Sequence, residues 1–103
     1  MRTLPPLALF FAVAVAVAAL TGCGSAYYNA SVSSAQTRLD QAQALGAETA
    51  APYEYYYAKE HLQEARLQAA DSSYHDAAMY AETAQTFAQK AIDKVQAHPE
   101  AGK

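Results

Sequence analysis

The C-terminal half of the chain carries its apolar residues in a helical rhythm. Tyr74, Ala77, Ala81, Ala84, Ala88, Ala91 and Val95 succeed one another at alternating spacings of three and four. This is a heptad seam, which returns every member to the same side of an α-helix. Tyr80 and Phe87 flank the seam on one side, and Ala78 and Ile92 on the other. A face that wide can meet two partners. The same alternation runs through Tyr28, Val32, Ala35, Leu39 and Ala42, and again through Tyr55, Ala58, Leu62, Ala65 and Ala69. The pattern predicts three helices, over residues 30–45, 52–70 and 73–97.

Local chemistry supplies the boundaries. Asn29 or Ser31 can cap the first helix, and Ser33 with Gln36 has the spacing of a capping box. Gly46 is placed to end it as a left-handed residue. Residues 47–51 form the connection, and Pro52 suits the first turn of the second helix, where a missing N–H costs nothing. Asp71, Ser72 and Ser73 interrupt the pattern, and any of them can cap the third helix. Asp76 near its start and Lys90 and Lys94 near its end suit the helix dipole. His98-Pro99 ends it, leaving 98–103 as a frayed tail. The seams are mostly alanine, so the helices should lie near the lower end of the usual ~8–10 Å separation. The expected fold is all-α, a small antiparallel three-helix bundle built on a helical hairpin with coiled-coil-like packing. Its longest helix would reach ~35–40 Å.

The N-terminal segment has a different character. A short positive start, Met1-Arg2-Thr3, precedes an apolar run from Leu4 to Leu20. The run is short for a membrane span of ~20 residues and ends in small residues, as a secretory signal does. Leu20-Thr21-Gly22-Cys23 closely resembles the bacterial lipobox. That resemblance implies a signal peptide over 1–22, cleavage before Cys23, a diacylglyceryl group on its sulfur and an acyl group on its new amine. Two or three chains at ~0.8 kcal/mol per buried CH₂ would hold a protein on a membrane essentially permanently. Gly24 follows the cysteine, where an aspartate would favour inner-membrane retention. The expected address is therefore the periplasmic face of the outer membrane, with the inner membrane second. Residues 23–29 read as the lipidated cysteine and a short tether. Tyr27 and Tyr28 lie within reach of the headgroups, a favourable place for tyrosine, or Tyr28 simply begins the first helical stripe.

Composition narrows the classes. Hydrophobic residues make up 52% of the 103 residues, but alanine supplies much of that. The larger apolar residues beyond the leader are few: Val32, Leu39, Leu45, Leu62, Leu67, Met79, Phe87, Ile92, Val95 and eight tyrosines. The core should be thin, and oligomerisation or an anchor would help a domain of this size. The formal charge is −3, and removing Arg2 with the leader makes it about −4, which argues against a nucleic-acid partner. One cysteine excludes an intramolecular disulfide.

The spacing Gly46-Ala47, Ala51-Pro52, Ala58-x3-Leu62-x2-Ala65, followed by Tyr74-x2-Ala77-x3-Ala81-x2-Ala84-x3-Ala88-x2-Ala91, resembles an alanine-rich bacterial family, domain of unknown function 4398. The likeness covers roughly Ala30 to Ala97. It implies a small envelope lipoprotein. Some members carry a following OmpA-like domain; none is expected after Lys103, so peptidoglycan binding does not carry over. The hairpin is also similar to a single tetratricopeptide repeat, with Ala65, Tyr74, Ala77 and Ala84 at its small and aromatic positions. His61 departs from that motif, and the third helix runs past its end. That likeness implies a peptide- or protein-binding module as the alternative.

Candidate chemistry is sparse. His61 and Glu64 share a helical face beside Glu60, but the Glu-x-x-His order of di-iron bundles is absent, and His75 is not expected to meet His61. These read as solvated surface residues. No serine sits in a Gly-x-Ser-x-Gly elbow, and no glycine-rich phosphate loop occurs. Neither catalysis nor a cofactor beyond the covalent lipid is expected. The unusual feature is Tyr53, Tyr55, Tyr56 and Tyr57. Tyr55 should point inward, leaving Tyr53, Tyr56 and Tyr57 partly exposed. They form either a lid over the open end of the bundle or a contact for an envelope protein or cell-wall glycan. The expected role is structural or adaptor.

Overall fold

A computed structural model describes residues 5–102, with side chains for all of them except 18–23 and 101–102. Helix α1 spans Pro6–Ala44, α2 Ala47–Ala50, α3 Pro52–Ala70 and α4 Tyr74–Ala97, and a 3₁₀ turn follows over Pro99–Gly102. Among the described residues there is no strand, so the fold is all-α.

Pro5, in an extended conformation, precedes Pro6 at the start of α1, where a fixed φ and a missing N–H are harmless. The helix then continues for 39 residues, about 58 Å at 1.5 Å per residue. This corrects two expectations. Residues 24–29 are not a loose tether, and the first helix does not begin at residue 30. Gly24 weakens a helix by only ~1 kcal/mol relative to alanine, and tertiary contacts offset that. The Tyr28 and Tyr74 rings meet with centroids 5.8 Å apart, and the Tyr27 hydroxyl donates to Glu82. The capping box at Ser33 and Gln36 does not form because both residues lie inside the helix. The Ser33 carbonyl instead accepts from Thr37 Oγ1 at 2.9 Å, and Gln36 Nε2 donates to Asp40 at 2.8 Å.

Gly46 is left-handed, with φ 82°, and ends α1 as the pattern predicts. The connection after it is itself one helical turn, α2, with Ala47 and Ala51 fully buried. Pro52 then opens α3. At the far end the Ser72 N–H bonds to the Ala69 carbonyl and the Ser73 N–H to the Gln68 carbonyl, both at 2.9 Å. This paired closure is a Schellman motif, with Ser72 left-handed at φ 62°. The Asp71–Ser73 segment thus closes α3 through its backbone. No side chain of it caps α4.

Helix α4 is central. It packs against α1, which runs parallel to it, and against α3, which runs antiparallel; α1 and α3 touch each other less. Both sides of its wide apolar face are used: Ala77, Ala78, Ala81, Ala84, Ala88, Ala91, Ile92 and Val95 are all buried. Facing them are Ala35, Leu39 and Ala42 of α1 and Tyr55, Ala58, Leu62 and Ala65 of α3. The bundle core is thin, because Leu45, Leu67 and Met79 lie on the surface. The 3₁₀ turn packs back on α2, so the tail is folded against the bundle as far as it is described. The whole measures 75 × 25 × 15 Å. Its length comes from the first turns of α1, where Leu7, Phe10 and Phe11 are exposed. No helix among the described residues is long and apolar enough to cross a membrane.

Candidate tyrosine-rich interaction site

A helical repeat of 3.6 residues brings Tyr53, Tyr57 and His61, four apart, to one face of α3. Helix α4 presents Tyr80 and Phe87, one heptad apart, to the same side. The rings interlock along the α3–α4 seam. Phe87 meets Tyr57 at 4.1 Å and the Tyr53 edge at 6.3 Å, and Tyr57 stacks on His61 at 4.1 Å. His61 in turn touches Tyr80 at 5.9 Å. The result is a ladder running down the flank of the bundle, which corrects the expectation of a lid over its end. His61 is likewise no solvated surface residue: it is half-buried, and its Nδ1–H donates to the Tyr57 carbonyl at 2.9 Å. Its spacing from Tyr53 and Tyr57 was the signal available in the sequence. Lys90 lies 4.4 Å over the Phe87 ring and closes the far end of the ladder with a cation–π contact.

Exposure differs among the tyrosines as expected. Tyr53 is 65% exposed, Tyr56 46% and Tyr55 only 3%, while Tyr57 is half-buried. Burial, aided by a hydrogen bond to Glu48, pushes the Tyr55 hydroxyl up to about 12. Tyr56 lies roughly 100° round the helix from Tyr57. It turns its ring to the edge of Tyr55, 5.1 Å away, with Lys59 beside it at 5.9 Å. Below the ladder, an open groove of about 560 Å³ continues between the helices, lined by Tyr57, His61, Gln68, Asp76, Met79 and Tyr80.

This arrangement offers ring edges, hydroxyls and a few polar side chains along one flank. Glu64 is engaged by Gln68 at 2.9 Å. Among the described residues no three His, Cys, Asp or Glu side chains converge as metal ligands would. Leu20, Thr21, Gly22 and Cys23 fall among the residues whose side chains lie outside the description.

No curated protein and no solved structure matches the chain. The family described as "Domain of unknown function (DUF4398)" matches residues 30–100. That span covers residues 30–44 of α1 and the helices packed against them, as the alanine spacing predicts, and the chain belongs to the DUF4398 family.

Proposed function

We propose that this protein is an envelope lipoprotein held on the outer membrane by acyl chains on Cys23, with a periplasmic helical bundle that acts as a structural or adaptor element. The observation that carries this reading is the run Leu20-Thr21-Gly22-Cys23 at the end of an apolar segment. The exposure of Leu7, Phe10, Phe11 and Val13 supports it, since an apolar surface left uncovered suits a signal sequence entering a membrane. The reading includes no catalysis, no metal and no cofactor other than the covalent lipid. Membrane fractionation and intact mass measurement test it. The native chain should carry a mass increment of two or three acyl chains and sediment with outer membranes, whereas Cys23→Ser should leave the chain unprocessed. A processed, unacylated native chain would refute the anchor.

The adaptor surface in this reading is the tyrosine ladder together with the neighbouring exposed Tyr56, through which an envelope protein or cell-wall component would be held. Replacing Tyr53, Tyr56 and Tyr57 by Ser should abolish crosslinking to partners in cells while the helical content persists. Equal crosslinking would dismiss the surface. The groove below the ladder favours a second reading, in which the α3–α4 hairpin takes an extended peptide as a tetratricopeptide-like module. In that case Tyr80→Ala and Met79→Ala, which leave the exposed tyrosines in place, would remove the contact.

A further inference from the structure

The missing tether has a mechanical consequence. Gly24 sits against α4 so closely that a Cβ there would stand 3.8 Å from the Tyr74 Cβ. The first residue of α4 is therefore level with Gly24, one residue and about 1.5 Å from Cys23 along the helix. Because α1 and α4 run parallel, the Asp71–Ser73 turn precedes Tyr74 on the side towards Cys23. Turn and anchor share one plane. Next to them the Tyr28–Tyr74 ring pair and the Tyr27–Glu82 hydrogen bond join α1 to α4, so the turns that follow the anchor are held against the bundle.

We propose that the acylated protein stands end-on on the phospholipid surface, with the Asp71–Ser73 turn, Tyr28 and Tyr74 in the headgroup layer. This rests on acylation of Cys23, and the bilayer follows as occupant because the anchored residue continues directly into the packed helix. Tyr74 is 36% exposed and Tyr28 half-buried, and a partly exposed phenol ring is favourable at the level of the headgroups. Charge does not recruit this end. Residues 24–37 and 67–82 contain no Lys or Arg, while Asp71, Asp76 and Glu82 are acidic. The contact is set by the lipid and the rigid helix, so it should not respond to salt as a polybasic contact would. Tyr80 and Phe87 follow Tyr74 by six and 13 residues on α4, so the tyrosine ladder would stand from about 9 to about 20 Å above the headgroups, facing sideways.

The chain has no tryptophan, so single tryptophans report position without background. His75→Trp and Asp71→Trp place independent reporters at the base, and Thr49→Trp places one on α2 at the opposite end. The acylated protein, its lipid confirmed by mass, is reconstituted in phosphatidylcholine vesicles carrying bromine near the headgroup. The two base reporters should lose most of their emission, at low and high salt alike, and the Thr49→Trp reporter almost none. A flexible Gly-Ser insert between Gly24 and Ser25 should restore emission at the base. Equal quenching at both ends would mean that the bundle lies flat, and no quenching at either would mean a loose tether; each overturns the proposal while leaving acylation intact. A preparation without lipid overturns both together.

Discussion

Ala84→Leu tests the close packing on which the bundle depends. Ala84 is 1% exposed and belongs to the same core cluster as Ala35, Leu39, Ala58 and Leu62. Leucine adds three carbons, worth ~2 kcal/mol if the site could bury them without strain. It cannot, because α4 is gripped from two sides and its seam is alanine along its length. To admit the larger side chain, α1 or α3 must move out and surrender contacts made by Ala88, Ala91 and their neighbours. Overpacking of this kind costs roughly 1–3 kcal/mol net. In a domain of this size each kcal/mol lowers Tm by roughly 4–8 °C, so a fall of at least about 4 °C is expected. Ala70→Leu makes the same change at an exposed position on α3 and should stay within about 0.5 kcal/mol of the native protein. Thermal unfolding followed by circular dichroism compares the two. An Ala84→Leu variant as stable as the native chain would refute tight three-way packing at α4.

Three further outcomes follow from the turns and the tyrosines. Gly46→Ala forces a Cβ into φ 82° and should cost roughly 1–2 kcal/mol, whereas Ser72→Gly relieves the left-handed serine at φ 62° and should raise Tm; opposite signs in urea melts are the check. Tyr28→Ala removes the ring pair with Tyr74 and should destabilise by at least ~0.5–1.5 kcal/mol, with hydrogen exchange rising first at the start of α4. Tyr55 is neutral when protonated, and its folded value near 12 stands above the ordinary value of 10.0. Its contribution is therefore complete below pH 10 and is lost as pH rises towards about 12. Ultraviolet titration should show one late-ionising tyrosine, absent in Tyr55→Phe.

The aromatic ladder shows how a face can be legible while its contacts are not. Four-residue spacing puts Tyr53, Tyr57 and His61 together on α3, but nothing local says that Phe87 will meet both of the first two. That depends on the axial offset between α3 and α4, which the three-residue Schellman turn sets. The same holds for His61: seen alone it is a polar residue beside two glutamates, whereas in the fold Tyr57 stacks on one side of it and Tyr80 of α4 adds a second ring. The continuity of α1 is hidden in the sequence because a glycine and small polar residues look like a linker until Tyr74 and Glu82 are placed beside them.

The helical class, the three seams, the stop at Gly46, the start at Pro52 and the family are all legible in the order of the residues. Each depends on interactions within a few residues, where spacing and backbone preference decide the outcome. The packing of the helices was needed to show that α4 is central, that α1 runs unbroken through residues 24–29, and that the tyrosines form a flank instead of a lid. Those features depend on side chains far apart in the chain: Tyr57 and Phe87 are 30 positions apart, Tyr28 and Tyr74 46, and Tyr27 and Glu82 55. Alanine seams make such pairings hard to foresee, because small side chains say that helices approach closely and leave the choice of neighbour to the larger residues at their edges.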